Sequence, residues 1–158
     1  MRLYLSSYML GDHRDRLLDM VGGAGARMAV ITNALDAIPL EAQIEYARTT
    51  FDPMIYFADN GFDPSFVDLR RYFGRPDDLR KILCQHRVVW ALGGNTFLLR
   101  RAMRDSGFDT MLGGLFDSGI VYAGWSAGAC VAGNGLDAVA IMDEPDAIAP
   151  GHVTTDRV

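Results

Sequence analysis

Two apolar runs in the second half of the chain each end in a glycine-rich segment, and this pairing constrains the fold more than any other feature. Residues 87–92 lead into Gly93, Gly94 and Asn95, and residues 119–123 lead into Gly124. Short β-branched and aromatic runs of this kind are typical of buried strands. Helix-like stretches follow both segments, which is the strand–helix alternation of a parallel sheet. We therefore predict an α/β fold, a three-layer sandwich with a mostly parallel sheet.

The same patterns assign elements along the rest of the chain. Its 158 residues fit one domain, so we predict a single α/β domain over residues 1–158. The predicted strands cover residues 2–6, 27–32, 66–69, 87–92 and 119–124, with a further strand candidate at 138–142. The predicted helices cover residues 14–21, 39–48, 53–60, 76–85, 96–104, 108–116 and 127–132.

Composition excludes several classes of protein. The chain carries 15 basic and 20 acidic residues, a net charge of −5, which is unfavourable for binding nucleic acid. We find no apolar run of the ~18 residues that a membrane span needs, and no long apolar segment at the N-terminus. We therefore expect a cytoplasmic protein that binds neither nucleic acid nor membrane. Cys84 and Cys130 are expected to be reduced core residues.

The second glycine-rich segment fits the pattern G-x-S-x-G, from Gly124 through Ser126 to Gly128. In a nucleophile elbow, the serine occupies a sharp, strained turn between a strand and a helix. The residues two before and two after it have to be small, because larger side chains would collide. Both are glycine here, so Ser126 is a candidate nucleophile. A glycine-rich turn with an ordinary serine is the alternative.

The first glycine-rich segment supplies a second half to such a site. A glycine lets backbone N–H groups approach a ligand closely, and Gly93 and Gly94 follow the neighbouring strand. Because ligands bind beyond the carboxyl ends of parallel strands, the two segments together predict an acyl-transfer site. Taken alone, Gly93 and Gly94 are better explained as a turn that enters a helix.

Together the motifs, residues 93–97 and 122–129, resemble those of peptidase E, the aspartyl dipeptidases of the S51 serine peptidases. Residues 27–36 are also similar to that family. The resemblance implies the flavodoxin-like fold of class I glutamine amidotransferases. It implies that Ser126 is the nucleophile, that Gly94 and Ala127 form the oxyanion hole, and that Gly93 and Asn95 lie beside the substrate. It further implies hydrolysis of dipeptides that begin with aspartate, through an acyl-enzyme, without metal or cofactor.

The resemblance leaves the catalytic base open. In that family the catalytic histidine follows a further strand after the serine, and an acidic residue comes later still. His152 follows Ser126 and is the candidate base; a solvated loop histidine is the alternative. We expect the domain to lack its C-terminal part, and we expect a homodimer as one way to cover an unpaired sheet edge.

Three functions follow from these patterns. The first is a serine peptidase that acts on small peptides. The second is a catalytically incomplete relative that keeps the elbow as structure and acts as a binding or interaction domain. The third, an α/β-hydrolase esterase, needs a His-Gly-Gly segment before the elbow and a widely spread triad, and the sequence contains neither.

Overall fold

A computed structural model describes residues 2–152 of the chain. Five strands form one sheet in the order β1-β5-β4-β2-β3, and every neighbouring pair is parallel. The strands are β1 (Leu3–Ser6), β2 (Ala26–Ile31), β3 (Phe62–Phe66), β4 (Val88–Ala91) and β5 (Val121–Trp125). The parallel arrangement brings all five carboxyl ends to one edge of the sheet.

Seven α-helices connect and follow the strands. They are α1 (Arg14–Val21), α2 (Leu40–Thr49), α3 (Pro53–Asp59), α4 (Pro76–Leu83), α5 (Thr96–Asp105), α6 (Phe108–Asp117) and α7 (Ala127–Cys130). Local chemistry explains their starts. Asp52 caps α3 by accepting hydrogen bonds from the Met54 and Ile55 amides, and Asn95 caps α5 through the Leu98 amide.

Two apolar cores lie on opposite faces of the sheet, because alternate strand residues point to opposite sides. Val30 and Trp90 pack with Phe57 of α3 and the apolar side of α1. Ile31 and Ala91 pack with helices α4, α5 and α6. The protein is therefore a three-layer α/β sandwich with a flavodoxin-like arrangement, and the predicted fold class is confirmed.

The third strand was placed wrongly by the sequence pattern. The prediction put it at residues 66–69, whereas β3 covers Phe62–Phe66 and residues 69–72 form a 3₁₀ turn. Pro64 lies in the middle of β3 and pairs with Met28. Proline cannot donate to a central ladder, but β3 pairs only with β2 among the described residues, so its edge position tolerates Pro64.

Two further expectations are also wrong. The strand candidate at 138–142 is an exposed 3₁₀ turn, Val139–Ile141, in which Ile141 is 88% exposed. Cys84 is exposed at the end of α4, and Cys130 is half-buried, so Cys84 is not a core residue. In the part of the chain that the structure describes, no helix has both the length and the apolar character needed to cross a membrane.

Candidate active site

Ser126 lies at a strained turn between β5 and α7. Its backbone angles are φ 49° and ψ −117°, a region that non-glycine residues avoid. Such a conformation costs on the order of 1–3 kcal/mol and persists only where the surrounding structure imposes it. The residue is exposed, although both of its neighbours in the chain are buried. This geometry is that of a nucleophile elbow.

The flanking glycines allow this turn because neither has room for a side chain. A Cβ atom on Gly124 would lie 2.6 Å from the carbonyl oxygen of Gly128, and one on Gly128 would lie 2.1 Å from the carbonyl oxygen of Ala91. Both distances are far below van der Waals contact. The G-x-S-x-G spacing is thus required by the close packing of the α7 backbone on β4 and β5.

The first glycine-rich segment lies directly beside the serine. A Cβ atom on Gly93 would lie 3.0 Å from Cβ of Ser126 and 2.8 Å from the Trp125 ring. Gly94 has φ 139°, and a Cβ atom there would lie 2.5 Å from the carbonyl oxygen of Ala34. The strand order explains this proximity, because β4 and β5 are neighbours and their carboxyl ends meet.

Two backbone amides in these segments are available to a ligand. Neither the Gly94 N–H nor the Ala127 N–H has a hydrogen-bond acceptor among residues 2–152. The amide after Gly94 and the amide before Ala127 differ: Asn95 N–H donates to Ala34 O at 2.8 Å, and Ser126 N–H donates to Ser6 O at 3.3 Å. Two free donors beside an exposed serine form the arrangement that stabilises an oxyanion.

The Asn95 side chain is fully engaged in this structure. Its Oδ1 accepts a hydrogen bond from the Leu98 amide at 2.9 Å, and its Nδ2 donates to the Glu144 carbonyl oxygen at 2.9 Å. Asn95 directly follows Gly94 in the chain, and its place beside a substrate stays a prediction. Its hydrogen-bonding groups hold the start of α5 and a distant segment of the chain.

That distant segment, residues 143–152, is here called the strap. It begins at the start of α5, where Asp143 Oδ2 accepts a hydrogen bond from the Thr96 amide at 2.8 Å. It continues toward the residues that follow β2 and β3, where the Pro150 carbonyl oxygen accepts from Arg70 at 3.3 Å. The strap thus lies along the carboxyl ends of β4, β2 and β3.

His152 ends the strap in a buried contact with a carboxyl group. Its Nε2 lies 2.7 Å from Oδ2 of Asp36, and both side chains are 3% exposed. The ring packs edge-on against Phe73, and its Nδ1 has no hydrogen-bond partner among the described residues. The loop-histidine alternative fails on this point, because the imidazole is buried and oriented by a carboxylate.

A polar network surrounds this pair at the carboxyl ends of β2 and β3. Asn33 Nδ2 donates to Asp36 at 2.8 Å and to Asp68 at 3.0 Å, and Asn33 Oδ1 accepts from the Leu69 amide. Arg70 pairs with Asp68 at 2.9 Å, which lowers the pKa of the Asp68 carboxyl although burial opposes the shift. Sequence analysis missed this network, although Asn33 and Asp36 follow a predicted strand directly.

Ser126 and His152 are not brought together in this structure. No side chain among residues 2–152 makes a hydrogen bond with Ser126 Oγ. His152 is tied to Asp36, which follows β2, and β4 lies between β2 and β5. Two strand spacings amount to ~9–10 Å, so the anchor of the imidazole lies far outside hydrogen-bond reach of the serine.

The other two histidines lie elsewhere. His13 is exposed in the turn before α1. His86 lies just after the end of α4, where it is buried and bonds Ser65 and the Ile82 carbonyl. Within the described residues, no group of three or more His, Cys, Asp or Glu side chains is arranged to hold a metal ion.

The family to which the chain belongs follows from a comparison with protein-family models. The model of peptidase family S51 matches residues 6–154, which include both glycine-rich segments, Ser126 and His152. The chain belongs to peptidase family S51. It is therefore a member of a serine peptidase family, and the family resemblance predicted from residues 93–97 and 122–129 is confirmed. No curated protein matches the S51 chain.

Solved structures resemble this S51 chain in fold. One is a protein from Listeria monocytogenes EGD-e named as a peptidase E, with a TM-score of 0.70 and 18% identity; the alignment covers 99% of this chain and 74% of that one. Another is a peptidase from an acI-B1 Actinobacterium, with a TM-score of 0.60 and 16% identity, covering 82% of this chain and 55% of that one. At 18% and 16% identity, the structural similarity shows that the fold is shared.

Proposed function

We propose that this S51 peptidase hydrolyses peptide bonds with Ser126 as its nucleophile. The observation that carries the proposal is the placement of an exposed serine, at φ 49°, beside the free amides of Gly94 and Ala127. Family membership supports the same reaction. The strained turn lifts Oγ clear of the backbone, so a carbonyl carbon can approach it.

The reaction proceeds by acyl transfer. Ser126 Oγ attacks the carbonyl carbon of the peptide, and its proton passes to a base. The negative charge that develops on the carbonyl oxygen accepts hydrogen bonds from the Gly94 and Ala127 amides. When the intermediate collapses, the base returns the proton to the departing nitrogen, the C–N bond breaks, and an ester remains on Ser126, which water then hydrolyses to the free acid and the serine. Gly93, which has no side chain, leaves room for the substrate beside Oγ.

Dipeptides that begin with aspartate are the proposed substrates. The support for this specificity is the resemblance of residues 93–97 and 122–129 to the peptidase E group. A neutral comparison substrate makes the claim testable, because asparagine matches aspartate in shape and lacks its charge. A site selective for aspartate would cleave the aspartyl peptide faster than the asparaginyl peptide, and this cleavage would depend on Ser126.

The proton acceptor for Ser126 is the open part of this mechanism. His152 has the features of a base in one respect, since Asp36 orients its ring and leaves Nδ1 free. Its anchor is displaced from Ser126 by two strand spacings, however. We therefore propose that His152 holds the strap on Asp36 and that it does not take the Ser126 proton in this arrangement.

A fluorophosphonate probe tests the nucleophile directly. We expect covalent labelling of the chain at Ser126, identified by mass spectrometry of the modified peptide, and none in Ser126→Ala. Cleavage of an aspartyl dipeptide should be lost in the same variant. Labelling at another serine, or cleavage that persists in Ser126→Ala, would overturn the assignment.

The second candidate function is a non-catalytic binding domain. The observation that favours it is the lack of any hydrogen bond to Ser126 Oγ from residues 2–152. A serine without a base keeps its proton at neutral pH and is a poor nucleophile. Binding of an aspartyl dipeptide without turnover, measured by calorimetry on the unlabelled chain, would support this candidate.

A further inference from the structure

Arg101 is a buried cation whose role the proposed reaction does not explain. It lies on α5 and is 1% exposed, and burial lowers the pKa of its guanidinium. Its Nη1 donates to the Pro145 carbonyl oxygen at 2.8 Å, and its Nη2 donates to the Ala147 carbonyl oxygen. A buried charge is costly unless it is hydrogen-bonded, so these two bonds are what make the position tolerable.

Both carbonyls belong to the strap, and the strap is tied to the first turn of α5. Residue 143 accepts from the Thr96 amide, and residue 144 accepts from Asn95 Nδ2. Arg101 thus holds residues 145 and 147 in place while the two residues immediately before them hold Asn95 and Thr96. The planar guanidinium bonds the two carbonyls with donors in a fixed geometry, whereas an ammonium group presents rotatable donors from a single nitrogen.

Asn95 in turn determines how the Gly94 amide is presented. Its backbone N–H donates to Ala34 O at 2.8 Å, and its side chain joins α5 to the strap. Gly94 has φ 139° and lies against Ala34. Because Asn95 follows Gly94 directly, a shift of Asn95 would change the backbone torsion angles of Gly94 and so alter the direction of its N–H.

We propose that Arg101 is a positioning residue for the oxyanion amide of Gly94, acting through the strap and Asn95. The inference rests on the proposed function for the catalytic part of its effect. The substrate does not contact Arg101 in this scheme. The guanidinium instead holds the strap, and through the strap Asn95, so that the Gly94 N–H keeps one orientation.

The main test compares Arg101→Met with Arg100→Met. Arg100 is the neighbouring arginine on α5, and it pairs with Asp109 at 2.7 Å, away from the strap. We expect Arg101→Met to lower the rate constant of Ser126 phosphonylation about tenfold, less than the ~10²–10³ lost when an oxyanion donor is removed outright. Arg100→Met should stay within about twofold of the parent chain.

The rate constant separates positioning from folding. A variant that is partly unfolded labels a smaller fraction of molecules, whereas a misplaced amide slows labelling of every molecule. Arg101→Lys keeps the charge and N–H donors but loses the fixed planar geometry, so it should recover part of the rate. Loss of labelled fraction with an unchanged rate constant would overturn the inference and leave Arg101 as a structural residue only.

Two further measurements keep the inference independent of the proposed function. Amide hydrogen exchange at Asn95 should accelerate about tenfold in Arg101→Met and not in Arg100→Met. Combining Arg101→Met with Asn95→Ala should give a loss smaller than the sum of the single effects, because both act on the same peptide unit. Unchanged exchange at Asn95 would overturn the inference. If the parent chain is not labelled, while exchange at Asn95 still accelerates in Arg101→Met, the proposed function is overturned and the inference about Arg101 is not.

Discussion

The Tyr122 hydroxyl donates a hydrogen bond of 2.7 Å to the carbonyl oxygen of Gly128, so the strand before the nucleophile is tied to the helix after it. Both groups are buried, and burial raises the pKa of the Tyr122 hydroxyl far above its usual value. The bond bridges the turn that contains Ser126. The elbow is thus held by the bond between β5 and α7 and by the close contact of Gly128 with the Ala91 carbonyl of β4.

Removing this bond should destabilise the elbow. We expect Tyr122→Phe to lower the free energy of unfolding by about 1–2 kcal/mol, because the Gly128 carbonyl loses a buried partner. Urea denaturation measures the change. Removal of an exposed hydroxyl in Ser118→Ala, a residue that bonds only within its own helix end, serves as the control and should change stability by less than about 0.5 kcal/mol.

Glycine replacements should separate the elbow from ordinary helix positions. Gly128→Ala places a Cβ atom 2.1 Å from Ala91 O, so we expect a loss of more than about 3 kcal/mol or failure to fold. Gly113 lies exposed in α6 with nothing within 4 Å of a Cβ atom. There Gly113→Ala should stabilise the protein by about 0.5–1 kcal/mol. Equal effects at the two positions would refute the packing argument.

If the Ser126 backbone is strained, replacing the residue with glycine should raise the stability of the protein. Ser126→Ala keeps a Cβ atom at φ 49°, whereas Ser126→Gly removes the steric conflict. We expect the glycine variant to be more stable than the alanine variant by about 1 kcal/mol, and both to be unlabelled by fluorophosphonate. Thermal unfolding of the two variants side by side measures the difference; an alanine variant that is the more stable of the two contradicts it.

Stability should fall on acidification because of His86. Burial lowers the pKa of its imidazole, and the nearby Arg27 lowers it further, while the Ile82 carbonyl and Asp63 oppose the shift. The unfolded chain takes up a proton near pH 6.5 and the folded one does so only at lower pH. The contribution of His86 to the free energy of unfolding is therefore fully present above about pH 6.5 and decreases as the pH falls below that value.

Substituting the histidine tests that assignment. His86→Gln should flatten the fall in the unfolding midpoint between about pH 7 and pH 5, since the amide does not titrate there. His13→Gln, at an exposed position, should leave the pH dependence unchanged. A pH profile of His86→Gln that matches the parent chain would show that another group is responsible.

The role of His152 can be decided by the same labelling assay. We expect His152→Ala to leave the phosphonylation rate constant of Ser126 within about threefold, because the imidazole is bound to Asp36 on the far side of β4. It should destabilise the protein by about 1–3 kcal/mol, since Asp36 loses a buried hydrogen-bond partner. A loss of more than about a hundredfold in rate would identify His152 as the base.

The sequence predicted the elbow well because its determinants are local. Gly124, Ser126 and Gly128 lie within five residues, and the collision that requires glycine at position 124 is with the Gly128 carbonyl inside the same motif. The apolar runs of β2, β4 and β5 were equally legible, since strands buried on both faces are continuously apolar. These features depend little on the rest of the chain.

Long-range context explains what the sequence did not reveal. Pro64 argues against a strand unless the strand is known to lie at the edge of the sheet, and strand order is a property of the whole fold. The pair of His152 and Asp36 joins residues 116 positions apart, so no local pattern indicates it. Arg101 shows the same limit, because a helical arginine is ordinarily a solvated one.

The order of the strands also bears on how the protein can be made. β1 is synthesised first, yet its partner among the described strands is β5, which contains Gly124 and precedes Ser126. The pairs of β2 with β3 and β4 can form earlier during synthesis. β1 stays without its partner strand until more than a hundred further residues have been made. Among the described strands, the pairings of β5 with β4 and β1 are therefore the last that can form, and the strand that leads into Ser126 has both of its edges paired only after the N-terminal strand has joined it.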